Sequence, residues 1–303
     1  VPLKSEPQPS HLIGLIGSGI GPSLSPALHE READELGLRY QYRRLDLLEL
    51  DVTPERISEL LEAARLTGYT GLNLTHPVKQ LVIAHLDMIS EEAAVVGAVN
   101  TVLFKGGKAF GYNTDASGFA RSAMTGLAGT PMDQVVVLGA GGAGAAVAHA
   151  LLAVGAGTVR VLDLDPDRSA RLADALGAHF GRDRISGGSA GELKEALRDA
   201  DGLAHATPTG MREHPGSAVP AALLRPDLWV AEIVYRPLET ELLTAARAAG
   251  CRVLDGGRMA VFQAVDSFRL FTGIEPDAER MLRHFDELAG RPAVKGTPSH
   301  ADD

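Results

Sequence analysis

The chain predicts an α/β fold in two domains, and three observations carry that reading. Its 303 residues exceed one ordinary domain. Short apolar runs alternate with helix-like segments along most of the length, the pattern of strands joined by connections packed on the sheet faces. Near the middle, the apolar run Gln134-Val135-Val136-Val137-Leu138 passes directly into Gly139-Ala140-Gly141-Gly142-Ala143-Gly144 and then into a stretch of small and apolar residues.

Taken in order, residues 12–16 read as a strand, 26–36 as a helix and 40–45 as a strand. Residues 54–66 read as a helix with Thr53 as N-cap and Pro54 at its first position. Residues 71–75 are the next strand, and strands separated by helices imply parallel pairing. Residues 1–115 thus form one α/β unit, and a linker helix over 115–124 leads out of it. A second unit spans 116–255, with strands over 134–138, 158–162, 201–205, 228–234 and 251–254. Met259, Phe262, Val265 and Leu270 recur at roughly helical spacing, and 277–288 carries a second helix pattern. These helices are expected to return to the first unit, assigning 256–290 to it, while 291–303 read as a disordered tail.

Composition narrows the function. With 45% hydrophobic and 22% charged residues, and no apolar run as long as a membrane span, the chain reads as a globular protein that does not enter a membrane. The first ten residues are polar and Pro-rich without the apolar core of a leader, so the cytoplasm is the expected location. A net charge of −10 without a Lys/Arg cluster argues against nucleic acid, leaving a small-molecule partner and a monomer or homodimer. Cys251, the only cysteine, permits no internal disulfide and reads as core filler. The ten histidines show no metal-ligand spacing, so no metal is expected.

The glycine loop has the strand, turn and helix order of a dinucleotide site. Without Cβ atoms, its backbone can turn sharply and approach a pyrophosphate, and the N–H groups at the helix start face the anion. The following strand ends in Asp163, about twenty residues past the loop, where a carboxylate accepts hydrogen bonds from the adenosine ribose. That carboxylate repels the extra phosphate of NADP, so NAD is the expected cofactor; against this, Arg168, five positions on, could pair with such a phosphate.

A dehydrogenase acting on an alcohol also needs a proton shuttle. Lys79 lies just beyond a strand end, where open α/β sheets place ligands, and Asp115 begins the helix linking the two units. An ammonium beside a carboxylate can direct a hydrogen bond at the substrate oxygen and stabilise an alkoxide. Against this stands the ordinary alternative, a solvated lysine and an N-cap aspartate.

Several segments together resemble the shikimate dehydrogenase family: Ser23-Leu24-Ser25-Pro26-Ala27-Leu28-His29, Asn73-Leu74-Thr75-His76-Pro77-Val78-Lys79, Gly97-Ala98-Val99-Asn100-Thr101, Gly111-Tyr112-Asn113-Thr114-Asp115, the glycine loop, Ala206-Thr207-Pro208-Thr209-Gly210-Met211 and Met259-Ala260-Val261-Phe262-Gln263-Ala264. The order agrees throughout, and the NAD-using quinate/shikimate dehydrogenases of actinobacterial type are the most similar, notably in Asp163-Leu164-Asp165 and residues 263–273. The resemblance implies a Rossmann-type NAD unit, with Lys79 and Asp115 as catalytic pair. It implies that Ser23 and Ser25 bind a substrate carboxylate, that Thr75, Asn100 and Gln263 bind ring hydroxyls, and that Tyr235 lies near the substrate. Cofactor contacts are implied at Gly139, Ala140, Gly141, Gly142, Ala143, Gly144, Asp163, Arg168, Thr207, Met211, Val234 and Gly257. Ser25 also reads as a helix N-cap, and Tyr235 equally as a buried structural residue.

Two positions depart from the family pattern. His205 stands where asparagine is usual and Glu232 where aspartate is common, which puts a local hydrogen-bond bridge in doubt and makes His205 structural rather than catalytic. Two other readings are a dehydrogenase of the methylene-tetrahydrofolate type, opposed by the paired serines, and a silent NAD or quinate sensor, opposed by retention of Lys79 and Asp115.

Overall fold

Two six-stranded sheets with helices on their faces make up the computed structural model, which describes residues 10–290. The sequence reading of 291–303 lies outside the described residues.

The first sheet is assembled from β1 (Ser10–Gly17), β2 (Arg39–Asp46), β3 (Gly71–Leu74), β4 (Met88–Ile89), β5 (Thr101–Lys105) and β6 (Lys108–Tyr112), in the order β2-β1-β3-β5-β6-β4. Strands β2, β1 and β3 are parallel, as their helical connections α1 (Ser25–Glu35) and α2 (Ile57–Leu66) require. Strand β5, however, runs antiparallel to β3 and forms a hairpin with β6, so this sheet is mixed and the wholly parallel expectation is corrected. Gly106 and Gly107, both at positive φ (59° and 77°), supply the two-residue turn that closes the hairpin. Residues 54–66 also differ from expectation: Pro54–Arg56 is a 3₁₀ turn, the α-helix starts at Ile57, and Thr53 makes no side-chain capping bond.

After α3 (Glu91–Val96) and the hairpin, α4 (Thr114–Gly126) carries the chain to the second sheet. That sheet comprises β7 (Gln134–Leu138), β8 (Thr158–Asp163), β9 (Ile185–Ser189), β10 (Gly202–His205), β11 (Trp229–Glu232) and β12 (Val253–Leu254). Every pairing is parallel, in the doubly wound order β12-β11-β10-β7-β8-β9. Both faces are covered, which explains the unbroken apolar strand runs. Val135 and Val137 enter a core with α4 and α5 (Gly142–Ala153), whereas Val136 and Leu138 enter the opposite core with Leu193, Leu242 and Leu243. Helices α6 (Pro166–Phe180), α7 (Leu193–Ala196) and α8 (Glu241–Ala248) complete the layers. Only Val253 and Leu254 of the expected strand over 251–254 are extended in the sheet; Cys251 is buried just before it, its thiol donating to the Arg225 carbonyl.

The last two helices, α9 (Gly256–Thr272) and α10 (Ala278–Leu288), return to the first sheet as expected. Leu28 of α1 shares a core with Val261, Ala264, Val265, Met281 and Phe285. An ion pair fastens the return: the fully buried Glu32 of α1 accepts from Arg280 Nη2 at 2.6 Å and Nε at 2.9 Å, and from the Asp277 amide at 2.9 Å. Removing one partner leaves a buried charge uncompensated. Arg280→Ala is therefore expected to lower unfolding free energy by about 3 kcal/mol in a denaturant titration, with Arg280→Lys recovering only part of it.

Candidate active site

Thr75 follows β3, and its amide donates to the Ile16 carbonyl at 2.9 Å, which fixes the end of the strand. The chain then turns through a cis His76–Pro77 peptide, is anchored by the fully buried Val78, and is pinned again where the Lys79 carbonyl accepts from the Val99 amide at 2.8 Å. Lys79 leaves this turn pointing at Asp115, and Nζ stands 2.6 Å from Asp115 Oδ2. Their side chains are 17% and 10% exposed, so neither is the solvated surface group that a lone charge usually is.

Asp115 is not the cap of α4. Asn113 takes that role, its Oδ1 accepting from the Asp115 and Ala116 amides at 3.1 Å each while Nδ2 donates to the Ala98 carbonyl at 2.9 Å. Asn100 accepts from the Thr114 amide through Oδ1 at 2.7 Å and donates from Nδ2 to Thr114 Oγ1 at 3.0 Å, leaving one amide hydrogen for another acceptor. Thr101, Asn73 and Tyr42 extend the network outward, since Thr101 Oγ1 receives Asn73 Nδ2 at 3.0 Å and Asn73 Oδ1 receives the Tyr42 hydroxyl at 2.8 Å.

The serine loop approaches from β1. Asp46 holds its start by accepting from the Gly19 and Ile20 amides at 2.9 and 2.7 Å. Arg44 donates to the Ser23 carbonyl at 2.9 Å, and Arg236, arriving from beyond β11, donates to the Pro22 carbonyl. Ser23 Oγ accepts from the Ser25 amide at 3.3 Å and also pairs with Tyr235, whose hydroxyl burial pushes above the usual phenol range. Ser25 is the first residue of α1 and not its cap: Leu24 occupies the N-cap position with helical backbone and no side-chain bond. Half-buried Ser25 Oγ and Thr75 Oγ1 therefore retain full capacity to bind a ligand.

Gln263 is brought in by a close helix crossing. A Cβ on Gly118 of α4 would come within 2.8 Å of the Gln263 amide nitrogen, so glycine there lets α9 lie against the helix that bears Asp115. Lys79 pairs with Asp115, Asn100 bonds the adjacent Thr114, Ser23 pairs with Tyr235, and Gln263 lies one helix crossing from Asp115.

Across from them lies the glycine loop. Gly139 has φ +109°, and a Cβ there would stand 2.7 Å from the Ala206 carbonyl oxygen; a Cβ on Gly144 would overlap the Gly139 carbonyl. Gly141, at the N-cap of α5, makes no side-chain capping bond and faces open space, so amides of the first turn are available to a ligand. These features fit a pyrophosphate. A Cβ on Gly142 would be 3.5 Å from Lys79 Cδ, so the loop adjoins the lysine stem.

Asp163 braces this loop from within. Its Oδ2 accepts from the Ala140 amide at 2.7 Å and its Oδ1 from the Asp165 amide at 2.9 Å, with Arg168 Nη1 at 3.5 Å. The sequence suggests a carboxylate facing a ribose; in the fold this carboxylate holds the loop. Thr207 adjoins Gly139, Val234 is buried, and the Gly257 amide donates to its cap Asp255 at 2.9 Å. Met211, 38% exposed, is held through its backbone, bridging Thr209 and His214 and donating its amide to the Pro208 carbonyl at 3.1 Å. The bridge doubted at His205 exists: its ring spans Glu232 and Thr207.

Residues 15–102 match the model described as shikimate dehydrogenase substrate binding domain, residues 257–284 that of the shikimate 5'-dehydrogenase C-terminal domain, and residues 107–213 the alanine dehydrogenase/PNT C-terminal domain. A protein of Streptomyces avermitilis named shikimate dehydrogenase (NADP(+)) is 62% identical over 288 residues, covering 95% of this chain and 99% of that one. One of Corynebacterium efficiens named quinate/shikimate dehydrogenase (NAD(+)) is 50% identical over 277 residues, covering 91% and 98%. The solved quinate dehydrogenase of Corynebacterium glutamicum in complex with NAD superposes with a TM-score of 0.86 at 48% identity, covering 92% and 99%. The chain belongs to the shikimate dehydrogenase family. It is an oxidoreductase of CH–OH groups that uses a nicotinamide dinucleotide and a small-molecule substrate. Among the described residues, no helix is long and apolar enough to cross a membrane.

Sequence reasoning quoted Asn113 without giving it a role, although an Asn ahead of an acidic first turn is a helix-start signal. It passed over Asp46 and Arg236, which no local pattern marks. Asn113→Ala is expected to cost about 1 kcal/mol of stability, read by thermal unfolding, and to lower turnover by freeing the start of α4, read by steady-state kinetics.

Proposed function

We propose that this enzyme interconverts the ring C3 alcohol and ketone of shikimate-type or quinate-type cyclohexane acids, with NAD preferred over NADP. The observation that carries the proposal is the 2.6 Å Lys79–Asp115 pair beside the glycine loop.

In this reading, residues 1–115 with 256–290 hold the substrate and 116–255 the dinucleotide. Nicotinamide, when bound, exchanges hydride with the ring carbon. Ser23 and Ser25 offer neutral hydroxyls to a carboxylate, while Thr75, Asn100 and Gln263 offer groups that both donate and accept, suited to a polyol. Lys79 directs one N–H at the C3 oxygen and moves the proton that the alcohol loses or the alkoxide gains, and Asp115 orients the amine. The pair's low exposure strengthens this interaction relative to water. Tyr235 closes the pocket beside Ser23.

The preference for NAD draws support from Asp163, Asp165 and Asp167 in one short segment, and from Arg168 being paired with the first two of these. An NADP preference is the second reading, favoured by the name of the 62%-identical relative and by an Arg168 side chain that is 53% exposed.

Comparing kcat/KM for shikimate and quinate, each with NAD and with NADP, tests the whole proposal; no turnover with any of the four combinations would refute it. Lys79→Ala is expected to lower turnover by roughly 10²- to 10⁴-fold with little change in dinucleotide affinity. Near-normal turnover would remove Lys79 from the proton path. Asp163→Ser should shift the NAD/NADP ratio of kcat/KM toward NADP by about tenfold or more. It should weaken NAD binding as well, since the Ala140 amide loses its acceptor.

A further inference from the structure

Below the glycine loop lies a polar chain that the reaction scheme above leaves unused. His205, at the end of β10, is 1% exposed, and Glu232, paired with it across the β10–β11 ladder, is equally buried. His205 Nδ1 stands 2.8 Å from Glu232 Oε1, and Nε2 stands 2.5 Å from Thr207 Oγ1. The carboxylate is held on its other sides: Oε1 accepts from the Val234 amide at 3.1 Å, and Oε2 accepts from the Thr240 hydroxyl at 3.1 Å. All of these partners are provided by the protein interior, so the imidazole has a fixed place and a fixed orientation.

The direction of the bonds follows from the inventory of donors. A carboxylate has only lone pairs to offer, so Nδ1 carries the ring hydrogen of a neutral His205 and donates it to Glu232. Nε2 then presents a lone pair, which takes the hydroxyl hydrogen of Thr207. Thr207 Oγ1 also accepts from the Thr209 amide at 3.3 Å. With its only hydrogen turned inward, the Thr207 oxygen can act toward a ligand as an acceptor alone. Its position is beside the loop, because a Cβ on Gly139 would lie 3.1 Å from Thr207 Cγ2.

We infer that His205 is a positioning residue for the dinucleotide: with Glu232 behind it, His205 fixes Thr207 as a hydrogen-bond acceptor for an O–H or N–H of the bound cofactor. The inference rests on the glycine loop being the dinucleotide site, as proposed above. The donor is a ribose hydroxyl or the nicotinamide carboxamide, the hydrogen-bearing groups of the ligand that lie beyond the pyrophosphate.

The test measures dissociation constants directly, by quenching or calorimetry, for whichever of NAD and NADP the unaltered enzyme binds more tightly and for the matching ADP-ribose. Thr207→Val and His205→Leu are each expected to weaken dinucleotide binding about fivefold, the worth of one neutral hydrogen bond. Because both changes remove the same contact, the double variant should be no weaker than either single one. His205→Gln, whose Oε1 can stand where Nε2 stands, should recover affinity to within about twofold; if His205→Leu does not fold, Thr207→Val and His205→Gln decide. Substrate KM at saturating dinucleotide should stay unchanged, which a general loosening of the fold would not allow. Equal loss for ADP-ribose assigns the donor to a ribose hydroxyl, and loss for the dinucleotide alone assigns it to the carboxamide. Unaltered affinity in Thr207→Val, or fully additive losses in the double variant, would overturn the inference. Failure of the unaltered enzyme to bind any dinucleotide would instead remove the functional reading and this inference with it.

Discussion

A lysine and an aspartate from separate segments, held at 2.6 Å with little access to water, are the constraint around which this molecule is arranged. Such a pair is a weak source of stability, because the cost of taking both charges out of water offsets much of their attraction. Its surroundings are nonetheless built to hold it. Val78 and the Val99 amide fix the turn that carries Lys79, and the Asn113 cap and Asn100 fix the first turn of α4 beneath Asp115. Glycine at 118 then allows α9 to approach on one side, while the nucleotide loop adjoins the lysine stem at Gly142 on the other. A pair that contributes little to folding is thus supported from several directions, as the proposed proton-relay role requires.

The serine loop follows the same logic with neutral groups. Its backbone is held by Asp46, Arg44 and Arg236, while the Ser23 hydroxyl pairs with buried Tyr235. The charged residues thus restrain the loop, and in the proposed function its hydroxyls are left to meet the ligand. Less conformational freedom is lost on binding when the loop is already ordered.

Much of this was legible in the sequence, for identifiable reasons. Five of the six strands of the doubly wound sheet could be read, because its central strands are buried on both faces and β7 and β8 end in sharp signals, the glycines after Leu138 and the Asp after Leu162; β9, a partly exposed edge strand with two glycines, was missed. The β5–β6 hairpin was missed despite Gly106-Gly107, because its strands are short and partly exposed and lack clean alternation. The 3₁₀ turn at 54–56 was misread because Thr and Pro mark a helix start without specifying how tightly its first turn winds. Within the site, motif residues were found and their supports were not. Asp46 and Arg236 act on backbone atoms of a loop distant in sequence, and the resulting contacts follow from the tertiary fold alone. His205 and Glu232 were each noticed as unusual, but only the register of β10 on β11 reveals that they face one another.

The path of the chain has a mechanical consequence. It leaves the first sheet through α4 and comes back through α9, and these two helices lie side by side with Gly118 at their contact. The nucleotide-binding half is thus tethered at two adjacent points, like a door on a pair of hinges set close together. Rotation about the line through those points would preserve both connections, whereas sliding or twisting apart would require the helices to separate. Asp115 and Gln263 ride on these same two helices, close to that axis, where a given swing displaces them least.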